Sequence, residues 1–179
     1  MILPISKYGS SVLRKKAESV KEITPELVEL AHNMLETMYK ANGVGLAAPQ
    51  VGKNIRLVVI DLSKEEDEHN PIILFNPEAV PEEGDNPIEA DEEGCLSVPD
   101  IWAKVSRPVR VHLTYTNENK EQVDMRDVSG KLARCAQHEQ DHLNGVLFVD
   151  KISMADRAMN ASKLKRMAKE NQSSGSSAL

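Results

Sequence analysis

The spacing of apolar residues along the chain predicts three helices. Residues 24–41 repeat Leu, Ala and Met at intervals of three and four positions, behind Thr24 as a suitable N-cap and a proline in the first turn. Residues 129–143 form a second helical segment, which the following Asn-Gly pair would end. Residues 153–170 form a third, amphipathic segment that Ser153 would cap.

Shorter runs of β-branched or alternating residues predict strands. Residues 55–61 and 72–75 are mainly apolar, whereas residues 109–116 alternate apolar with polar, so that one face of the strand would be buried. The apolar positions that follow complete a hairpin with that strand. Residues 77–93 are acidic and contain three prolines, and we predict an irregular excursion there.

These elements together predict a single α+β domain over residues 1–171. No internal repeat and no linker composition interrupts it. The small, polar residues 172–179 predict a disordered C-terminal tail.

The composition narrows the classes of function. Acidic residues outnumber basic ones by 28 to 22, so binding to membranes or sequence-specific binding to nucleic acid is not expected. No apolar run approaches the ~18 residues of a membrane span, and the apolar first five residues are too few for a signal sequence. Two cysteines do not make a disulfide framework, so we expect a cytoplasmic protein with thiols available for metal binding or catalysis.

The candidate chemistry is concentrated in the sequence HEQDH at residues 138–142. On a helix the two histidines lie one turn apart on a common face, where their imidazoles can bind one metal ion. At about 100° per residue, Glu139 falls within about 20° of Leu132, on the apolar face of the same helix. Because burial disfavours a charged carboxylate, we expect Glu139 to have a raised pKa and to act as a general base. A surface helix that matches the pattern by chance is the simpler alternative.

Two histidines leave room for a third protein ligand and a water molecule. Cys135 shares the helix face, but it lies about 7 Å along the helix axis from the middle of the histidine pair. A metal–sulfur bond of about 2.3 Å is too short to bridge that distance, and we predict a small buried thiol there. Cys95 is the stronger candidate, because Gly94 beside it lets a ligand approach closely, although alone it would be a structural thiol.

Residues 43–52 are rich in glycine and alanine around Gln50. The segment lacks the Gly-Lys-Ser/Thr ending of a phosphate-binding loop, and it follows a helix rather than a strand. Two interpretations stay open for it. One is a backbone that lies against a ligand, with Gln50 as hydrogen-bond donor, and the other is a structural turn.

The three segments together resemble the peptide deformylase family. The resemblance lies in GVGLAAPQ (43–50), EGCLS (93–97) and QHEQDH (137–142), in this order and with family-like spacing. It implies an α+β fold in which small antiparallel sheets pack around a central helix that carries the H-E-x-x-H motif. The implied reaction removes the N-formyl group from the N-terminal formyl-methionine of newly made proteins and releases formate.

The resemblance also implies the roles of individual residues. The implied metal ligands are Cys95, His138 and His142. The implied catalytic groups are Glu139 as acid/base, together with the Gln50 amide and the Leu96 backbone N–H, which would polarise the formyl oxygen. The implied substrate-binding positions are Gly43, Val44, Gly45 and Gly94. The cofactor would be one divalent metal, natively Fe²⁺ and often replaced by Zn²⁺ or Ni²⁺ during handling, and the partners would be formyl-methionyl nascent peptides and, transiently, the ribosome.

One segment departs from the family pattern. Residues 100–102 read Asp-Ile-Trp where many bacterial members carry Glu-Gln-Arg or similar, so no substrate contact is carried over to them. Trp102 would either pack against the protein or lie at the rim of the peptide site. The remaining histidines are expected to be surface residues without ligand partners: His32, His69 and His112.

Two other functions remain open at this stage. A zinc endopeptidase shares H-E-x-x-H, but would ordinarily use His or Glu as its third ligand, so Cys95 on the metal discriminates against it. A structural or regulatory metal module would close the site with four protein ligands, and no fourth ligand is evident near either motif.

Overall fold

The computed structural model describes residues 1–63 and 68–172 as three α-helices and seven β-strands. The helices are α1 (Pro25–Lys40), α2 (Gly130–Leu143) and α3 (Met154–Gln172). The strands are β1 (Gly45–Ala47), β2 (Leu57–Ile60), β3 (Ile72–Pro81), β4 (Ile88–Cys95), β5 (Val98–Pro108), β6 (Val111–Thr116) and β7 (Gln122–Val128). None of the described helices combines the length and the apolar character that crossing a bilayer requires.

The strands form two antiparallel sheets. The larger has the order β1-β2-β3-β6-β7, and the smaller is the β4–β5 hairpin. Strand β1 is therefore an edge of the larger sheet, and within the described residues β4 pairs with β5 alone. Both sheets thus have a free strand edge.

Helices cover both faces of the larger sheet, as β2 shows. Val58 and Ile60 pack in the cluster that includes residues of α2, whereas Leu57 and Val59 pack with residues of α1. All four are buried, because successive side chains of a strand point to opposite faces and neither face is open to water. The hairpin has a core of its own, in which β5 packs against Phe148 and its neighbours and against α3. Three helices with two antiparallel sheets confirm the predicted α+β fold. Helix α2 packs on the larger sheet and contacts the hairpin through Asp141 and Arg107, and that it is the central element stays a prediction.

The ends of two helices agree with the predicted caps. Thr24 Oγ1 accepts a hydrogen bond of 3.3 Å from the amide of Leu27, and Ser153 Oγ accepts one of 3.1 Å from the amide of Asp156. Helix α2 ends at Leu143 as predicted, although its N-cap residue makes no side-chain cap.

The irregular excursion predicted for residues 77–93 is wrong. Strand β3 continues to Pro81 and β4 begins at Ile88, so only a short connection separates two strands. Pro77 is accommodated because the register of β3 shifts there, at a bulge that leaves a residue unpaired. Beyond the bulge, a side chain of α2 provides a hydrogen-bond partner for the edge of β3, since the Ala79 amide donates to Gln140 Oε1 at 2.6 Å.

Helix α3 differs from its prediction in two respects. It is far less amphipathic, because Leu164 is its one buried residue. It also extends to Gln172, so that residue belongs to the helix and not to the predicted tail, whose residues 173–179 lie outside the described part of the chain. That residues 1–171 form a single domain stays a prediction.

Candidate metal centre

Helix α2 directs two histidines to one point beside the hairpin. The rings of His138 and His142 lie one turn apart, with their centroids separated by 5.1 Å in an edge-on arrangement. Both are buried, and His142 is only 1% exposed.

A bulge in the hairpin brings Cys95 to these histidines. The β4–β5 register shifts between Glu93 and Cys95, and a bulge re-aims the side chain beside it. Cys95 Sγ lies 3.2 Å from His142 Nε2. The ligand atoms of Cys95, His138 and His142 all lie within 4.8 Å of one another. Among the described residues, neither Cys135 nor any carboxylate joins that group.

This donor set fits a divalent transition metal. A thiolate and two imidazoles suit zinc, iron or nickel, and three protein ligands leave a position open, as in catalytic sites. Burial, together with the charge of His138, lowers the pKa of His142 well below its ordinary range and keeps that ring neutral for coordination. Burial also opposes protonation of His138, but its hydrogen bonds with Cys95 and Glu93 outweigh it and raise its pKa to about 10. Because only the neutral ring binds a metal ion, metal binding and protonation compete at His138.

Glu93 orients the first of the two histidines. Its Oε1 lies 2.8 Å from His138 Nδ1, so that nitrogen is engaged and Nε2 is the one that faces the ligand group. Arg107 donates to the same carboxylate through Nε at 2.6 Å and Nη2 at 2.9 Å, and Arg134 Nη1 donates to it at 2.6 Å. Burial disfavours the ionised carboxylate of Glu93, but the hydrogen bonds from Arg107 and His138 outweigh it and lower its pKa to about 2.

Arg107 also ties the hairpin to the metal-binding helix. It is 3% exposed, and its Nη1 donates to Asp141 Oδ2 at 2.9 Å. Asp141 in turn pairs with Lys151 at 2.9 Å. Sequence reasoning missed both Glu93 and Arg107 as site residues. The alternation of apolar and polar residues along β5 was the one sequence signal that would have predicted a buried Arg107.

Glu139 lies on the buried side of α2, where the helical wheel places it. It is 4% exposed, and burial raises the pKa of its carboxyl group to about 7, in the direction expected from the sequence. Its Oε2 has no hydrogen-bond partner within the described residues. Gly45 allows this placement, because a Cβ there would lie 2.7 Å from Glu139 Oε1 and 2.8 Å from Cys135 Sγ.

Gln50 is also buried beside the ligand group. Its Oε1 accepts a hydrogen bond of 2.9 Å from the amide of Ala47, which fixes the direction of the side-chain amide. Its Nε2 donates to Ser97 Oγ at 3.1 Å and lies 3.6 Å from Cys95 Sγ. The turn that contains Leu96 is held by Lys7, whose Nζ donates to the Leu96 carbonyl at 2.9 Å.

A cleft of about 1000 Å³ brings the predicted residues together. Of the predicted set, the cleft is lined by Gly43, Val44, Gly45, Gln50, Gly94, Cys95, Leu96, His138 and Glu139. His142 is the one predicted site residue that does not line it, and its side chain is buried. Trp102 stands at the cleft with 67% of its surface exposed, so it lies at the rim.

Two of the other histidines have partners that are not metal ligands. The ring of His69 stacks on Tyr39 at 4.0 Å, and His112 Nε2 lies 2.7 Å from Asp124 Oδ1. Neither belongs to a group that would hold a metal among the described residues.

Comparison with known proteins gives one consistent result. The sequence model of the family described as polypeptide deformylase matches residues 2–158. A peptide deformylase of Thermodesulfovibrio yellowstonii is 46% identical over 164 residues, covering 92% of this chain and 97% of the relative. One from Psychrobacter cryohalolentis is 45% identical over 174 residues, covering 97% and 92%.

Solved structures agree in fold. A peptide deformylase from Synechococcus elongatus in complex with actinonin superposes with a TM-score of 0.83 at 43% identity, covering 90% of this chain and 87% of that one. The Thermotoga maritima enzyme gives 0.77 at 42% identity, covering 86% and 99%. With a family match over nearly the whole length and relatives close to half identical, the chain belongs to the peptide deformylase family.

Proposed function

We propose that this chain hydrolyses the N-formyl group of formyl-methionyl peptides at the Cys95, His138 and His142 centre, releasing formate. The observation that carries the proposal is the buried Glu139 beside this ligand group, in the same cleft. A thiolate in the ligand group argues against an ordinary zinc endopeptidase, and three ligands argue against a closed structural site.

Glu139 is the proton carrier of the reaction. Cys95, His138 and His142 would hold a divalent metal ion, which would supply a Lewis acid and lower the pKa of a water molecule towards about 7. The Glu139 carboxylate takes a proton from the attacking water and returns it to the amine nitrogen as the C–N bond breaks. A pKa of about 7 suits both halves of this transfer at neutral pH.

Gln50 and the Leu96 backbone N–H would stabilise the negative charge that develops on the formyl oxygen. In many hydrolases, hydrogen-bond donors that point at such an oxygen provide a large part of the rate enhancement. The two N–H groups of the Gln50 amide face Ser97 and Cys95, so donation to substrate must replace one of those contacts. The hydrogen bond from Ala47 keeps the amide nitrogen directed at the site while this happens.

The peptide would bind as an extended strand between the free edge of β1 and the free edge of β4. Gly45 is opposite Ile60, and the Asp61 amide donates to the Val44 carbonyl at 2.9 Å. In an antiparallel ladder this directs the N–H and C=O of Gly45 away from β2, towards the cleft. The Val44 carbonyl already accepts from Asp61, so the backbone groups that this edge leaves for a ligand are those of Gly45. Gly94 provides the facing edge on β4, and Gly43 lets the Leu96 side chain lie close to the backbone, since a Cβ there would meet Leu96 Cδ1 at 2.8 Å.

We propose Fe²⁺ as the native metal, following the family, with Zn²⁺ or Ni²⁺ as replacements acquired during handling. The donor set accepts all three, so the ligands alone do not select iron. Formate release by protein loaded anaerobically with each ion tests the assignment. The iron form should be the most active, and a zinc form of equal activity would contradict the proposal.

We propose transient association with the ribosome, where nascent substrates emerge in the cytoplasm. The support is α3, which carries five basic and two acidic residues in a chain of net charge −6. Its Lys165, Arg166 and Lys169 are exposed. Co-sedimentation with ribosomes should be lost when these three become glutamate, whereas peptide deformylation should be unchanged.

The decisive experiment compares wild type with Glu139→Gln. The variant should keep its metal, because Glu139 is not a ligand, and should release formate from a formyl-methionyl peptide at least about 100-fold more slowly. Metal content is measured on the same samples. Loss of metal from the variant would move Glu139 into the ligand set, and full activity would refute its role as acid/base.

A further inference from the structure

The side chain of Trp102 lies flat against the backbone of Gly94. A Cβ placed on Gly94 would lie 2.5 Å from Trp102 Cζ3 and 2.7 Å from Cη2, so the glycine is what allows the indole to lie there. The ring is 67% exposed even so. One side of it rests on β4, and much of the rest faces water at the cleft.

The indole occupies the outer face of the hairpin. Along β5 the buried Ile101 and Ala103 flank the exposed Trp102, as the alternation of a strand requires. Gly94 lies on the neighbouring β4, whose other edge has no strand partner among the described residues. Because Gly94 has no side chain, the indole extends across β4 towards that free edge, which is where the proposed peptide strand would lie.

The alternation of an extended peptide decides which of its side chains meets this ring. The methionine next to the formyl group is stabilised by pointing into the buried part of the cleft. The next residue along the peptide then points to the opposite side, which is the outer face. Val44, 52% exposed, lies at the same cleft on β1's side.

We propose that Trp102 is a specificity residue that contacts the side chain following formyl-methionine and favours aromatic or large aliphatic residues there. This inference rests on the proposed function, which supplies the peptide. An aromatic pair of this kind favours binding by about threefold to tenfold. Because the contact is remote from the reacting carbonyl and is made equally before and during reaction, it should change KM and leave kcat unchanged.

The test uses formyl-Met-Phe-Ser and formyl-Met-Ala-Ser. Wild type should show a kcat/KM about threefold to tenfold higher for the phenylalanine peptide, carried by KM. Trp102→Ala should bring the ratio to about one while keeping kcat/KM for the alanine peptide within about twofold, because nothing bulky is lost from that complex. Trp102→Phe should retain most of the preference.

Ile88→Ala is the matched control. Ile88 of β4 is an exposed apolar residue of the same hairpin, like Trp102, but it lies away from the cleft. The variant should leave the ratio unchanged. If Trp102→Ala keeps the wild-type ratio, or loses activity equally on both peptides, the proposal is overturned.

Fluorescence separates this inference from the proposed function. Trp102 is the only tryptophan in the chain, so its emission reports on this position alone. Titration with Met-Phe-Ser and Met-Ala-Ser should change the emission, with the tighter apparent Kd for the phenylalanine peptide. If wild type releases no formate, the proposed function fails, and equal or absent fluorescence responses would then independently overturn the contact at Trp102.

Discussion

Cys95 and Cys135 are the same residue type in two different environments. Cys95 ends a strand with its sulfur 3.2 Å from a histidine nitrogen, within the group of three ligands. Cys135 lies under Gly45 beside Glu139, where burial and that carboxylate raise the pKa of its thiol well above the ordinary range. A protonated thiol is a poor metal ligand, because the thiolate is the form that coordinates.

We therefore expect the two serine variants to differ. Cys95→Ser should lose most of its bound metal, and Cys135→Ser should keep it close to one equivalent. Metal analysis after dialysis against a weak chelator, with circular dichroism as the control for folding, makes the comparison. The reverse pattern would show that the ligand assignment is wrong.

Among individual residues, the sequence predicts the metal ligands and the acid/base residue better than the residues that position them. His138, Glu139 and His142 follow from helical spacing alone, because residues of one helix have a fixed relation. Glu93 and Arg107 were missed because their contact depends on the register of a hairpin, which no local pattern shows. Whether Trp102 packs or lies at the rim of the site could not be predicted for the same reason, since its position depends on Gly94 of the neighbouring strand.

Among the elements, the end of β2 is held by one buried carboxylate. Asp61 is 4% exposed and accepts hydrogen bonds from Tyr39 Oη at 2.6 Å, Ser63 N at 2.9 Å and Oγ at 2.6 Å, and Asn70 N at 3.1 Å. Burial opposes its ionisation, but the hydrogen bonds from Ser63 and Tyr39 outweigh that cost and lower the pKa of Asp61. His69 Nδ1 lies 3.4 Å from the same carboxylate.

We expect Asp61→Asn to lower the free energy of unfolding by about 3 kcal/mol at pH 7, since several hydrogen bonds to a charged acceptor are weakened. The folded-state pKa is depressed, so this stabilisation is complete above the ordinary value of 3.8 and is lost as the pH falls through the lower folded value. Urea unfolding at pH 7 and pH 3 should show a gap between wild type and variant that narrows at the lower pH.

Tyr39→Phe provides the control, because it removes a single donor and should cost about 1 kcal/mol. A gap for Asp61→Asn that stays the same at both pH values would mean that shape and not charge is responsible.

Secondary structure was predicted where each segment carries its own pattern. Helix α1 and strand β2 have clear periodicity, and their bounds agree with the structure to within three residues. Strand β4 has none, because its side chains are mostly exposed and acidic, and its pairing comes from β5. The amphipathy expected of α3 was overestimated, since Leu164 is its one buried residue.

For the molecule as a whole, the ligand group links two cores. His138 and His142 belong to the helix that packs on the larger sheet, and Cys95 belongs to the hairpin with its separate cluster. A bound metal therefore adds a link between parts of the chain that also meet through side-chain contacts such as those of Glu93, Arg107 and Asp141.

We expect chelation of the metal to lower Tm by roughly 5–10 °C, which corresponds to about 2.7 kcal/mol for a metal present at 100 times its Kd. Thermal unfolding with and without a strong chelator measures the shift. In Cys95→Ser the chelator should have little effect. An equal shift in both proteins would place the stabilising metal elsewhere.

The free edge of β4 has a further consequence, for the behaviour of the protein in a crowded solution. An unpaired strand edge offers its backbone to any extended chain, including a second copy of the same edge. Glu89, Asp91 and Glu92 are exposed along this strand, and β1, the edge strand on the other side of the cleft, has only three residues. Repulsion between two such acidic strands disfavours edge-to-edge aggregation. The acidic composition that obscures β4 in the sequence is thus also what disfavours pairing of its open edge with a second copy.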